Sequence, residues 1–98
     1  MSLRVVFRRA AQHELEAAAA WYEDRRRGLG EEFLKEIEEA IERSADHPER
    51  HPIVFSDVRR AVLRRFPYAV YFRQRDLALV VLAVFHGRRD PLVWKRRT

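Results

Sequence analysis

The stretch LALVVLAVFH, residues 77–86, indicates how the rest of the chain must fold. Alternate side chains of a β-strand point to opposite faces of its sheet. One face would carry Leu77, Leu79, Val81, Ala83 and Phe85. The other face would carry Ala78, Val80, Leu82, Val84 and His86. Because both faces are apolar, the pattern predicts a central strand covered on both sides, one side by helices and the other by the chain's own tail or by a partner.

The residues before this strand predict a short strand and two helices. Residues 3–8 alternate in part, which is typical of a strand. From about Arg9, apolar residues recur at helical spacing: Ala11, Leu15, Ala18 and Tyr22. A second helix is expected from about Glu31 to Ser44, and its buried stripe comprises Phe33, Ile37, Ala40, Ile41 and Ser44. Gly28 and Gly30 suit a turn between the helices, so the two would form an αα-hairpin.

The residues after the helices predict further strands. His47-Pro48 and His51-Pro52 predict an extended, non-helical linker. Strands are expected over residues 58–65 and 68–73, with a polar turn at 74–76, and residues 92–95 suit a short strand or an ordered tail. The expected fold class is α+β, with an N-terminal strand, an αα-hairpin and then an antiparallel β-sheet.

Composition limits the chain to one small domain spanning residues 1–98. The absence of cysteine excludes disulfides and thiolate metal sites and is compatible with a reducing cytoplasm. The N-terminus lacks the apolar run of a signal peptide, and residues 77–85 are too short for a membrane span of about 20 residues. We therefore expect a cytoplasmic protein that does not contact a membrane.

Charge is distributed unevenly along the chain. Residues 1–50 carry nine Lys and Arg against twelve Asp and Glu, a net charge of −3. Residues 51–98 carry eleven against three, a net charge of +8. This basic half predicts an anionic partner, which would be nucleic acid, a ribosome or an acidic protein. The alternative is that the charges only keep the surface solvated.

The residues that follow the central strand are the main candidates for chemistry. His86 could act as a general acid or base near neutral pH. Arg88 and Arg89 could clamp a phosphate, and Trp94 could stack on a base. The alternative is structural, with His86 capping the strand and the arginines paired with Asp57 and Asp90. His47 and His51 do not suggest a metal site, because the prolines beside them prevent the helix that would align them.

Arginines on the preceding strands could form one basic surface on the sheet. These residues are Arg59, Arg60, Arg64 and Arg65, together with Arg73, Arg75, Arg88 and Arg89. Such a surface could follow a phosphate backbone or hold an acidic protein segment. Distributed evenly instead, the same arginines would be ordinary solvated residues that protect strand edges.

Several local motifs resemble those of the RelE/ParE superfamily, the toxins of bacterial type II toxin–antitoxin systems. Arg9-Ala10-Ala11 followed by Glu14-Leu15 looks like the N-terminal "A…DL" signature, with Glu in place of Asp. Residues 66–71, FPYAVY, preceded by Arg59-Arg60, are similar to the "R…FPY.v.Y" segment. Residues 82–86, LAVFH, followed by Arg88-Arg89, resemble the "vlaV.H.rR" ending. The resemblance spans nearly the whole chain and implies the same α+β fold.

This resemblance implies two possible mechanisms. RelE-like members cut mRNA on the ribosome, whereas ParE-like members poison DNA gyrase. Ala69 stands where many ribonuclease members carry Arg, Trp94 falls where a Tyr often lies, and no Lys occurs between Lys35 and Lys95. These departures favour the ParE-like branch, a binding protein without a cofactor or metal. An inactive relative that serves only in autorepression is a third hypothesis.

The resemblance also implies partners and site residues. The partners would be a cognate antitoxin, DNA gyrase or alternatively the ribosome and mRNA, and operator DNA through the antitoxin alone. Target contacts are expected at Arg59, Arg60, Arg64, Arg65, Arg89 and Trp94. Antitoxin contacts are expected at Val80, Leu82, Val84 and Arg73. If the protein is a ribonuclease, His86 would act as general acid or base and Arg88 would stabilise the developing phosphorane charge.

Overall fold

A five-stranded sheet packs against two helices in the computed structural model, which describes residues 2–87 and 95–97. The elements are β1 (Arg4–Phe7), α1 (Arg9–Arg25), α2 (Leu29–Asp46), a 3-10 helix (Pro48–Arg50), β2 (Ile53–Phe55), β3 (Val58–Val62), β4 (Tyr68–Arg75) and β5 (Ala78–His86). The strand order is β1-β5-β4-β3-β2. β1 runs parallel to β5, and the other neighbours are antiparallel. The predicted α+β fold class is confirmed.

The αα-hairpin is also confirmed, with one correction at its turn. Gly28 adopts a left-handed φ of 87°, which favours glycine. Gly30 was expected in the turn but lies buried in the first turn of α2, where an added Cβ would come 2.7 Å from the Ala19 carbonyl oxygen. The Glu23 carboxylate accepts the N–H groups of Gly28 and Gly30, which lowers the pKa of Glu23. Helix α2 therefore begins at Leu29, before the expected Glu31.

The helix-covered face of the sheet carries the larger apolar core. Every residue of the predicted α2 stripe is buried: Phe33, Ile37, Ala40, Ile41 and Ser44. Phe33 lies at the centre of an aromatic cluster, with ring centroids 5.1 Å from Tyr22, 5.2 Å from Phe66 and 5.2 Å from Tyr68. The core beneath it includes Val70, Phe72, Leu79, Val81 and Val84 of the sheet. Helical periodicity therefore predicted the α2 side of this core correctly.

A β-bulge in β5 corrects the predicted division of its side chains. Tyr71 pairs with Ala83 and Phe72 pairs with Val81, so Leu82 is an extra residue on β5. Strict alternation therefore stops at this point. The prediction that Val84 shares a face with Val80 and Leu82 is wrong, because Val84 packs in the core beneath the helices. Ala83 and Phe85 instead join the opposite face.

The segment between α2 and β4 also departs from the sequence expectations. The linker contains a 3-10 helix, and β2 was not predicted. β3 ends at Val62, so Arg64 and Arg65 lie beyond the strand rather than on it. β4 continues to Arg75, which reduces the expected polar turn. The strand or tail expected over residues 92–95 falls, except for Lys95, outside the described residues.

The sheet face opposite the helices is buried, as predicted. Its apolar cluster comprises Val58, Ala69, Tyr71, Ala78, Val80, Leu82, Ala83 and Phe85. The chain itself reaches this face, because Lys95 Nζ lies 5.0 Å from the Phe55 ring centroid and Arg97 Cζ lies 5.1 Å from that of Phe85. These contacts favour the chain's own tail over a partner as the cover of these residues. Among the described residues, no helix is long and apolar enough to cross a membrane.

Candidate functional site

A groove of about 600 Å³ runs between α1 and the adjoining ends of β4 and β5. We call it the α1 groove; it is lined by His13, Glu14, Ala17, Ala18, Trp21, Tyr22, Pro67, Tyr68, Val84 and His86. Trp21 remains 52% exposed although its ring packs edge-to-face on Tyr22, with centroids 5.1 Å apart. The Arg25 guanidinium stacks on Trp21, 4.0 Å from the ring centroid. This wall of the groove is therefore an exposed indole held by contacts on both sides.

His86 lies at the end of β5, as the sequence predicted. It pairs across the sheet with Tyr68, and their ring centroids are 5.4 Å apart. The next residue, Gly87, donates its N–H to the Pro67 carbonyl oxygen at 2.7 Å, which fixes the exit from the strand. Burial, followed by the nearby Tyr68, raises the pKa of Tyr22. The Tyr22 hydroxyl therefore stays protonated near neutral pH and can donate a hydrogen bond.

A second groove of about 600 Å³, which we call the arginine groove, shares Pro67, Tyr68 and His86 with the first. Its lining residues also include Arg60, Val62, Leu63, Arg64, Arg65, Phe66, Ala69, Tyr71 and Gly87. Arg60 pairs across the sheet with Tyr71, so it lies on the face opposite the helices. Arg60 and Arg64 are exposed. His86 is thus bordered by an aromatic groove and by a cationic one.

The predicted arginine surface is divided between the two sides of the sheet. Arg59 pairs with Phe72 on the helix-covered face and donates to the His51 carbonyl oxygen at 2.6 Å. Arg65 forms an ion pair with Glu32 of α2 at 2.6 Å. The backbone N–H groups of residues 64 and 65 are both bound by the Glu36 carboxylate. The structure therefore does not bring Arg59 and Arg65 together with Arg60 on one face.

Arg73 and Arg75 share the carboxylate of Asp57. The Arg73 side chain is only 7% exposed and its Nη2 lies 2.7 Å from Asp57 Oδ1, whereas Arg75 is 57% exposed and its Nη1 lies 2.8 Å from Oδ2. Partial burial of Asp57 acts to raise its pKa. The hydrogen bond and charge of Arg73, then a backbone hydrogen bond and the charge of Arg75, outweigh this effect, so the pKa is lowered.

The residues expected to contact an antitoxin are buried within the chain itself. These residues are Arg73, Val80, Leu82 and Val84. Arg73 is occupied by Asp57, and Val84 lies beneath the helices. A partner could reach these side chains only if the surrounding structure moved. Their role in antitoxin binding stays a prediction.

Glu14 belongs to the N-terminal motif described above, but its position in the sequence indicated no contact. Its carboxylate accepts the Val84 N–H at 3.0 Å and forms an ion pair with Arg97 at 2.8 Å. Arg97 also donates to the Leu82 carbonyl oxygen at 3.0 Å. The only signal in the sequence was the position of an acidic residue beside Leu15, between Ala11 and Ala18, on the buried side of α1. Its partner, Arg97, could not be identified from spacing.

Three further expectations concern the residues after His86, a metal site and His51. Arg88, Arg89 and Trp94 lie outside the described residues. Within residues 2–87 and 95–97, no group of His, Cys, Asp and Glu could hold a metal ion. His51 Nε2 lies 3.3 Å from Ser44 Oγ, and burial, followed by the charges of Arg43 and Arg59, lowers the His51 pKa. His51 is therefore a neutral structural residue near neutral pH.

The family model and two solved structures that match this chain all come from toxin–antitoxin systems. Residues 5–91 match the family described as the ParE toxin of type II toxin–antitoxin system, parDE. A chain from the chromosomal ParDE toxin–antitoxin system of P. aeruginosa aligns with a TM-score of 0.69 and 21% identity, over 87% of this chain and 96% of that one. A chain from the RelBE toxin–antitoxin complex of Mycobacterium tuberculosis aligns with a TM-score of 0.62 and 21% identity, over 88% and 99%. No curated protein matches the sequence.

Proposed function

Because the chain belongs to the ParE toxin family of type II toxin–antitoxin systems, we propose that it inhibits DNA gyrase and is neutralised by a cognate antitoxin. The family match over residues 5–91 carries this proposal. The sequence departures from the ribonuclease members support the same choice. In this proposal the protein acts by binding, without a cofactor or metal.

The chemistry of the α1 groove supports binding to a protein target. Trp and Arg are enriched among the residues that dominate protein–protein binding energy. Here Trp21 and Arg25 stack on each other and remain exposed at the rim of the groove. Ala17 and Ala20 on the same helix are small and exposed, so a partner backbone could approach closely. We propose this surface as the contact with gyrase.

The test is a DNA supercoiling assay with purified gyrase, with and without the purified protein. We expect the protein to inhibit supercoiling or to cause cleaved DNA to accumulate. Trp21→Ala should weaken inhibition by about tenfold, the scale of a central aromatic contact. Leu77→Ala, at an exposed apolar residue in the β4–β5 turn, is the matched control and should act like the unsubstituted protein. Unimpaired supercoiling with a folded sample would overturn the proposal.

The antitoxin proposal rests on family membership and charge. Both solved relatives described above come from toxin–antitoxin systems. The chain has a net charge of +5, and a partner with an acidic segment would complement it. In this proposal operator DNA is contacted only through the antitoxin. Co-expression with a candidate antitoxin should yield a complex of the two proteins that remains intact during size-exclusion chromatography.

One observation favours a ribosome-dependent endoribonuclease as a second candidate. His86 lines the arginine groove together with Arg60 and Arg64, so a titratable imidazole and exposed cations border one cavity. Cations could hold phosphates there, and an imidazole could transfer a proton. This candidate predicts that His86→Ala abolishes ribosome-dependent mRNA cleavage while antitoxin binding is retained. The gyrase proposal predicts that the same substitution weakens inhibition of supercoiling at most in part, because His86 is only one of the residues that line the α1 groove and transfers no proton there.

A further inference from the structure

Within residues 2–87 and 95–97, Glu14 is the one carboxylate that lines the α1 groove, and Arg97 binds it. Arg97 Nη1 lies 3.0 Å from Glu14 Oε1, and Nη2 lies 2.8 Å from Oε2. Two guanidinium nitrogens thus face two carboxylate oxygens, which is the strong, geometrically specific form of this pair. The side chains are 23% and 13% exposed, so solvent screens the pair only in part.

The ion pair is fixed by the sheet as well as by its own charges. Glu14 Oε1 accepts the Val84 N–H, and Arg97 Nη1 donates to the Leu82 carbonyl oxygen. β1 pairs with β5 only as far as Val81, so these contacts occupy the edge of β5 beyond the end of β1. Arg97 is thereby held at a defined place beside the groove. It neutralises Glu14 without leaving the sheet edge.

Arg97 therefore changes the charge that the groove presents, because it compensates the Glu14 carboxylate. With Glu14 neutralised, the other titratable residues that line the groove are His13, Tyr22, Tyr68 and His86, and Arg25 stacks on Trp21 at the rim. Such a surface is neutral to positive. Without Arg97, a partly buried carboxylate would face the groove, and its field would be strong because few water molecules screen it.

We infer that Arg97 is a specificity-determining residue, which makes the α1 groove select an apolar protein segment that carries carboxylates. The inference rests on the proposed function in taking gyrase as the protein that supplies this segment. A carboxylate on the incoming segment would be repelled by an uncovered Glu14 and is accepted when Arg97 covers it. Arg97, which lies 83 positions after Glu14 in the sequence, thus makes the groove compatible with an acidic partner.

The first test separates charge masking from simple anchoring. Arg97→Ala should raise the concentration of protein needed to inhibit gyrase by about tenfold, because it leaves the Glu14 carboxylate uncompensated. Glu14→Gln combined with Arg97→Ala should return it to within about threefold of the unsubstituted protein, since no charge remains to be masked. Arg97→Lys, which keeps a cation, should retain most of the inhibition. Arg96→Ala, at the exposed neighbouring arginine, is the matched control and should have no effect.

A second test measures the groove's charge without gyrase. In a Trp94→Phe background, the fluorescence of Trp21 reports on the groove through quenching by iodide and by caesium ions. Arg97→Ala should decrease quenching by iodide and increase quenching by caesium, by about twofold in their ratio, because an uncovered carboxylate repels anions and attracts cations. The Glu14→Gln, Arg97→Ala double variant should restore the original ratio.

The outcomes distinguish the inference from the proposed function. Failure of the unsubstituted protein to inhibit gyrase would overturn the proposed function, and the quenching ratio would still test the masking. An unchanged quenching ratio in a folded Arg97→Ala variant would overturn the inference. A double variant that inhibits gyrase as weakly as Arg97→Ala would also overturn it, because the role of Arg97 would then be anchoring alone.

Discussion

The two faces of the sheet are held by different kinds of contact. The face under the helices is packed by apolar side chains, with the Phe33 cluster at its centre. The opposite face also has an apolar floor, but charged contacts surround it. Asp57 bridges Arg73 and Arg75 on one side, and Arg97 lies on Phe85 and binds Glu14 on the other.

This difference shows where stability and selectivity come from. Apolar burial is roughly proportional to area and tolerates many arrangements, so the helix-covered face supplies free energy without demanding precise partners. Ion pairs in partly buried positions contribute little net stability but are costly when one partner is removed. The ion pairs on the opposite face can therefore determine which charges face a partner, while they contribute little to the free energy of unfolding.

The largest effect is expected on the helix-covered face. Phe33→Ala would remove a fully buried ring from the aromatic cluster and leave a cavity. The free energy of unfolding should decrease by about 3–5 kcal/mol, a large part of the stability of a small domain. Urea denaturation monitored by circular dichroism would measure it. Leu77→Ala, at an exposed residue, is the control and should change the value little; a loss below about 1 kcal/mol for Phe33→Ala would break the comparison.

The Asp57 bridge offers an internal comparison on the opposite face, because two arginines share one carboxylate. Arg73→Ala should decrease the free energy of unfolding by about 1–3 kcal/mol, since it removes a buried side chain together with its hydrogen bond. Arg75→Ala removes an exposed partner of the same carboxylate and should cost about 1 kcal/mol or less. Thermal and urea unfolding of both variants would measure the difference. Equal losses would show that burial does not decide the strength of these pairs.

The Asp57 bridge also predicts how stability depends on pH. The folded-state pKa of Asp57 is lowered, so its contribution is present above the unfolded-state pKa and is lost as pH falls through the folded-state pKa. The difference in unfolding free energy between the unsubstituted protein and Asp57→Asn should be largest near neutral pH. It should shrink below about pH 4.

Urea titrations at several pH values would measure the pH dependence of the Asp57 bridge. In a background with both Arg73→Ala and Arg75→Ala, the same comparison should vary less with pH. A difference between the unsubstituted protein and Asp57→Asn that grew as the solution became more acidic would contradict the assigned direction of the pKa shift.

The sequence predicted the helix-covered face better than the opposite one for a physical reason. A helix with a single buried face repeats its apolar residues every three or four positions, so the α2 stripe from Phe33 to Ser44 could be identified directly. In β5, by contrast, strict alternation did not predict which face each side chain joins. Residues 77–85 are all apolar, so no polar residue reveals which side chains share a face. The sequence therefore does not indicate the bulge at Leu82, which moves Val84 to the other face.

The candidate site was predicted only in part. His86 was identified because a polar residue follows a long apolar run, and the structure places it beside Tyr68 in both grooves. The contacts that set the charge of the site join residues far apart in sequence. Glu14 and Arg97 are 83 positions apart, and no local pattern predicts that they meet. The sequence did not mark Trp21 as a site residue, because the exposure of a helical side chain depends on how the helix packs.

The smallest effect is expected from the exposed ion pair on the helix side. Arg65 binds Glu32 through its side chain, and its backbone N–H is bound separately by Glu36. Arg65→Ala removes the first contact, together with the approach of the guanidinium to 5.4 Å from the Phe66 ring centroid, and keeps the second. The exposed pair gains little because water and salt screen it. The Tm should fall by no more than about 2 °C. Differential scanning calorimetry at low and high salt would measure it.

Arg64→Ala is the matched control for this pair, since Arg64 is an exposed neighbour whose backbone N–H is also bound by Glu36. The two variants should have nearly the same Tm, and the small difference between them should vanish at high salt. If Arg65→Ala instead lowered the Tm as much as Arg73→Ala, an exposed pair on the apolar side would be as important as a buried one on the charged side. The two faces would then not divide stability and charge as argued, because both would depend on specific ion pairs.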